Sequence, residues 1–122
     1  MNRVLLAGVG LVFGFTTSAM AQEACVRPTP PTVIDGKTAT TEQIATMRKA
    51  VSEFIAASDT FQNCVLDGLD AQRKAAKLAK TKLPSSVVKE GTAQVDANQA
   101  DKERVGGAYN AAVKAFRAAN PS

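Results

Sequence analysis

The sequence contains no histidine and no tryptophan, and it has a single tyrosine. Without histidine, a serine or cysteine nucleophile lacks its usual imidazole base, and a metal site lacks its commonest ligand. Exposed aromatic rings, which form the stacking platforms of proteins that bind single-stranded nucleic acid, are also scarce. The chain has no nucleophile motif, metal-ligand cluster or phosphate-binding loop. We therefore expect no catalytic residues, no metal and no cofactor.

Charge of either sign is modest, with 15 lysines and arginines against 11 acidic residues and a formal net charge of +4. A nucleic-acid-binding domain is usually far more basic, so no nucleic-acid partner is expected. Asp67 and Asp70 stand three residues apart and could be read as paired catalytic carboxylates. Instead, the two carboxylates can form ordinary helix salt bridges with Arg73 or Lys74, one turn further on.

Long hydrophobic runs are missing too. The apolar run over residues 4–15 has about 12 residues, whereas a helix needs roughly 20 to span a bilayer. It follows Arg3 and precedes a small-residue stretch that ends at Ala21. This layout predicts a secretory signal peptide over residues 1–21, cleaved near Ala21, and a periplasmic or secreted protein. The mature chain would have 101 residues, which is enough for one small domain. It would keep 14 basic and 11 acidic residues.

Only two cysteines are present, Cys25 and Cys64. An even number of cysteines in an exported chain is typical of a disulfide. A metal pair would need further ligands, and a catalytic thiol would need an imidazole base. The sequence therefore predicts one structural disulfide.

Residues 22–39 are predicted to form an extended, proline-rich strap, because each proline fixes φ and favours polyproline II geometry. Gly36, in the IDGK sequence, can take a positive φ and supply a turn. Cys64 should lie roughly 35 Å along the following helix. The strap can reach about 46 Å. It can therefore return along the helix and be held at its middle by the disulfide.

Residues 40–122 are predicted to form a helical hairpin with helices over about 41–82 and 86–119. Thr40 and Gln43 form a capping box at the start of the first helix. Pro84 ends that helix, and a following serine can cap the second. Apolar and small residues recur at steps of three and four, as in coiled coils. Two long helices with a short connection pack antiparallel, so the fold class is all-α.

Polar residues interrupt both apolar seams. Folding the helices about residue 84 places Ser58 near Tyr109, and Asn98 near Gly68 or Gln72. Such residues either fix the register of the helices or mark a half-open seam that would invite self-association or a helical partner. The sequence leaves both interpretations open. It also leaves open whether the second helix breaks at the Gly106-Gly107 pair, where each glycine weakens a helix by about 1 kcal/mol.

The pattern Cys-x-x-Pro-x-Pro-Pro-x-x-x-x-Gly-x-x-Ala-Thr precedes a helix that carries SEFIAASDTFQNC. This combination resembles a group of small, uncharacterised exported proteins of Gram-negative bacteria. The matching residues are Cys25, Pro28, Pro31, Gly36, Ala39, Thr40, Phe61 and Cys64, with a looser echo over 108–116. Phe54 and Phe61 stand where many such proteins have tyrosine. The resemblance implies the fold and export, and it brings no established activity.

The strongest charge feature is a basic cluster at the predicted tip of the hairpin. Its members are Arg73, Lys74, Lys77, Lys80 and Lys82. Lysines near a helix C-terminus interact favourably with the helix dipole, which is consistent with a merely solvated tip. The same residues could contact anionic lipid or lipopolysaccharide head groups, and each would then contribute about 1 kcal/mol to the binding free energy.

These observations lead to two functional hypotheses. The first is a non-enzymatic periplasmic interaction or structural module that binds an envelope protein or itself. Its candidate partner residues lie along the seam: Phe54, Phe61, Tyr109 and Phe116. The alternative is a peripheral protein that binds an anionic envelope surface through the basic tip.

Overall fold

The structure is a computed structural model that describes residues 24–122. This part of the chain folds into two antiparallel helices, α1 (Thr41–Leu78) and α2 (Ser85–Ala119). The predicted all-α hairpin is therefore confirmed, whereas the predicted signal peptide over 1–21 lies outside the described residues. Over residues 24–122, neither helix has an apolar stretch long enough to cross a membrane.

The start of α1 is fixed by the predicted capping box. The Gln43 backbone N–H donates to Thr40 Oγ1 at 3.1 Å, and the Thr40 N–H donates to Gln43 Oε1 at 2.8 Å. The two side chains thus accept hydrogen bonds from two backbone N–H groups that a helix start would otherwise leave unpaired.

The end of α1 comes earlier than predicted, at Leu78 and not near 82. Lys80 has a φ of 55°. Its N–H donates to the Lys77 carbonyl at 3.1 Å, and the Thr81 N–H donates to the Ala76 carbonyl at 2.8 Å. These two bonds form a Schellman motif, which usually has glycine at the left-handed position. Because a lysine stands there, the sequence carries no visible stop signal before the proline.

The start of the second helix differs from the prediction, and its middle shows whether the helix breaks at the two adjacent glycines. Pro84 is the N-cap residue of α2, and no side chain caps the helix, so the predicted cap by Ser85 or Ser86 is wrong. The helix then runs without interruption through Gly106 and Gly107.

The register of the two helices also differs from the prediction. Asn98 lies opposite Ser58 and Gln62, and not near Gly68 or Gln72. Ser58 correspondingly faces Asn98 and not Tyr109. The pairing is displaced by about three helical turns. The cause is the early end of α1, since the chain turns back near residue 80 and not at the proline.

The predicted disulfide joins Cys25 to Cys64, with a Cα–Cα distance of 5.7 Å. Two residues later the strap reaches α2, where the Arg27 guanidinium donates to Asp101 Oδ2 at 2.7 Å. This hydrogen bond, with a second from Arg104, lowers the pKa of Asp101 below its ordinary value. The strap therefore contacts both helices near its start.

At its other end the strap closes over the core of the hairpin. Val33 and Ile34 pack against a cluster of buried residues: Met47, Val51, Phe54, Val105 and Ala112. This cluster lies at the base of the hairpin, the end away from the connection between the helices. The predicted covering of apolar surface by the strap is thereby confirmed.

The predicted turn is present over residues 36–38, but Gly36 does not supply it in the predicted way. Its φ is not positive, and it is buried against the backbone of Ala112. A Cβ at Gly36 would overlap the carbonyl of Ala112. Glycine is therefore needed for close approach between strap and helix, and not for a left-handed turn.

We predict that Gly36→Ala destabilises the protein by about 1–3 kcal/mol, because the added methyl forces the strap off α2. Gly107→Ala is the matched control, since a Cβ there would meet neither the strap nor the other helix within 4 Å. It should stabilise α2 by about 1 kcal/mol. Urea unfolding of the two variants measures both effects, and an unchanged Gly36→Ala midpoint would show that the strap does not approach α2 this closely.

Candidate functional site

The strap lies in only one of the two grooves between the helices. On that side, Ile34 lies beside Met47 and Ala50 of α1. The α2 residues there are Ala108, Ala111, Ala112 and Ala115. Their small side chains let the strap backbone lie close to α2.

The opposite groove is not covered by any described residue of the strap. We call this side the uncovered face. Its α1 residues follow helical steps of three, four or seven: Ile44, Arg48, Ile55, Asp59, Gln62 and Leu66. Its α2 residues do the same: Val88, Val95, Lys102, Gly106, Tyr109, Val113 and Phe116. Most are half-buried, and Leu66 is 49% exposed.

At the base of the hairpin the uncovered face deepens into a groove, here called the base groove. Ile44 from α1 and Tyr109, Val113 and Phe116 from α2 provide its apolar surface. Its volume is about 630 Å³. Ligand pockets typically have volumes of roughly 300–1,000 Å³. The groove is open to solvent along its length and therefore suits an elongated partner better than an enclosed small molecule.

Cationic side chains surround this groove. Arg48 of α1 and Arg117 of α2 line it, and Lys114 lines the adjoining hollow beside Tyr109. Within residues 24–122, no carboxylate lies within 4.0 Å of these three cationic groups. Lys49, also at the groove, pairs weakly with Glu53 at 3.9 Å. The rim is therefore positive and mostly uncompensated.

A polar belt crosses between the helices above the base groove. Asn98 Nδ2 donates to Ser58 Oγ at 3.1 Å, and Gln62 Nε2 donates to Asn98 Oδ1 at 2.9 Å. Ser58 and Asn98 are both 0% exposed. Lys102 and Asp59 form an ion pair beside them, on the uncovered face.

The polar belt shows whether the polar seam residues fix the register of the helices or mark a half-open seam. Every buried side-chain polar atom in the described part of the chain has a hydrogen-bond partner. A one-turn slip of α2 would separate Asn98 from Ser58 and bury both without partners. The buried pair therefore fixes the register. The seam is open along the edge that faces away from the strap, and also on the strap side between the disulfide and the tip, where Gly68 and Gln94 line a hollow.

The four predicted partner residues fall into two groups. Phe54 and Phe61 are 4% and 3% exposed, so their rings lie in the interior and are inaccessible to a partner. Tyr109 and Phe116 are half-buried and line the base groove. Only this second pair is placed to contact another molecule.

The five residues of the predicted basic tip are all exposed at the end of the hairpin. Arg73 lies 3.5 Å from the carboxylate of Asp70, in the predicted i, i+3 pair. Lys80 and Lys82 lie in the connection between the helices. Between the lysines, the apolar side chain of Leu78 is 86% exposed.

Arg48, Lys114 and Arg117 were not among the predicted site residues. They lie near opposite ends of the helical region and meet only because the hairpin brings its two ends together. The available signal was their helical spacing from the apolar residues, since Arg48 follows Ile44 by four and Arg117 follows Val113 by four.

Comparison of this chain with protein family models, with curated proteins and with solved structures found no match. The described residues also bring no group of three histidine, cysteine, aspartate or glutamate side chains together in a way that could hold a metal ion. The uncovered face, with its base groove, and the basic tip are therefore the candidate sites.

We predict that Asn98→Ala destabilises the protein by about 2–3 kcal/mol, because it removes two hydrogen bonds and leaves the Ser58 hydroxyl buried without a partner. Gln99→Ala, at the exposed neighbouring position, should change stability by less than about 0.5 kcal/mol. Thermal or urea unfolding compares the two. Equal effects would mean that the buried belt does not hold the register.

Proposed function

We propose that this protein is an exported interaction module that binds an envelope protein, or a second copy of itself, through its uncovered face. One observation carries the proposal: the strap covers the base half of one groove between the helices and leaves the opposite groove lined by half-buried apolar side chains. A helical hairpin buries such a surface fully only when a further element packs against it.

The shape and chemistry of the face favour a helical partner. Its apolar residues recur along both helices at heptad-like steps, which is how one helix presents itself to another. Tyr109 adds an amphipathic ring of the kind enriched at protein interfaces.

Site-specific photo-crosslinking in cells tests this proposal. A photoreactive phenylalanine at Val95 or Val113, both on the uncovered face, is expected to give a discrete adduct. The same group at Ala56 or Ala100, exposed on the outer sides of the hairpin, provides the control and should give none. The mass of the adduct distinguishes a second copy from a different protein. Equal labelling from all four positions would contradict the proposal.

A second candidate function is binding of an anionic membrane surface through the basic tip. The exposed Leu78, set among Lys77, Lys80 and Lys82, supports it, because an apolar side chain flanked by cations suits the boundary between lipid head groups and acyl chains. If the protein sediments with anionic vesicles and a variant with glutamine at the tip lysines does not, while no protein adduct forms, this function replaces the first.

A further inference from the structure

We infer that the base groove receives a helix of another protein, and that this helix carries carboxylates beside its apolar stripe. The inference rests on the proposed function and adds the chemistry of the partner to it. Two features of the groove, its length and its charge, lead to this assignment.

The length of the groove suits a short helix. Its wall on α1 runs from Thr41 to Ser52, which is about 17 Å at 1.5 Å per residue. Ile44 and Tyr109 both pack against the core, so they form a firm floor. Above them, the Lys102–Asp59 ion pair interrupts the apolar surface. A partner helix of about three turns would therefore fit the groove, with apolar anchors at i, i+3 or i+4, and i+7 that contact mainly Tyr109, Val113 and Phe116.

The positive charge of the rim favours acidic residues beside the apolar anchors of the partner helix. Arg48 stands on one side of the groove, and Lys114 and Arg117 stand on the other. Since no described carboxylate lies within 4.0 Å of any of the three, each can pair with a carboxylate of an incoming helix. Aspartates or glutamates on both edges of the partner stripe would meet this rim.

The same charges disfavour a second copy of the chain. If two copies packed in parallel, their base grooves would face each other, and Arg48 and Arg117 of one copy would lie against the same two residues of the other. In an antiparallel arrangement, the base of one copy would meet the tip of the other. The tip half of the uncovered face carries Lys77, which follows Leu66 by eleven residues, and Arg73, which Asp70 neutralises only in part at 3.5 Å. Both arrangements oppose like charges across the interface.

The inference is tested with designed peptides as probes. Three helical peptides of about 18 residues share one leucine stripe and carry glutamate, glutamine or lysine beside it. The glutamate peptide should bind the oxidised protein about tenfold more tightly than the glutamine peptide at low salt. The lysine peptide should bind most weakly. Because rim charges are screened, the difference should shrink as salt is added.

Charge reversal at the rim provides the matched variants. Arg48→Glu with Arg117→Glu should reverse the order, so that the lysine peptide binds best. Lys37→Glu with Lys89→Glu makes the same change in net charge at exposed positions outside the base groove and the basic tip, and it should leave the order as in the wild type. Circular dichroism checks that both variants keep their helices.

Each contrary result has a separate meaning. Equal binding of the glutamate and glutamine peptides would overturn the acidic partner and leave the photo-crosslinking test of the proposed function unaffected. Binding of phosphatidylglycerol vesicles, lost in the Arg48→Glu and Arg117→Glu variant while no peptide binds, would assign the groove to lipid instead. A dimer in sedimentation equilibrium that the same variant dissociates would assign it to a second copy.

Discussion

The disulfide between Cys25 and Cys64 determines which side of the hairpin is covered. Two packed helices enclose only a narrow seam, and a domain this small gains stability from a cross-link. By fixing the start of the strap at the middle of α1, the disulfide leaves it a path along one groove towards the base. The contact of Gly36 with Ala112 fixes the other end of that path. The strap thereby completes the core from one side only.

This one-sided covering gives the two faces different residues. Beneath the strap, α2 presents alanines, which allow a backbone to approach closely. On the opposite side the same helix presents Tyr109, Val113 and Phe116, whose larger side chains remain half-exposed. The buried Ser58–Asn98 pair holds the helices in the register that aligns these residues with Arg48. Fold stability and the proposed binding surface therefore depend on the same few contacts.

Much of the fold could be predicted from local signals. The capping box at Thr40, the proline strap and the cysteine pair are each encoded by residues close in sequence or by simple counting. The register was not predictable in the same way, because the turn that sets it has lysine where glycine is usual. The cationic rim was missed for a related reason. Arg48 and Arg117 are 69 residues apart and become neighbours only when the register is known.

The measurement that tests this account most directly is urea unfolding of the oxidised protein beside a Cys25→Ala, Cys64→Ala variant. Closing a loop of about 40 residues is worth about 4 kcal/mol in the chain-entropy model, and loss of the anchored strap should reduce the free energy of unfolding by that amount. A loss of less than about 1 kcal/mol would contradict the account, because the helices would then hold together without the strap.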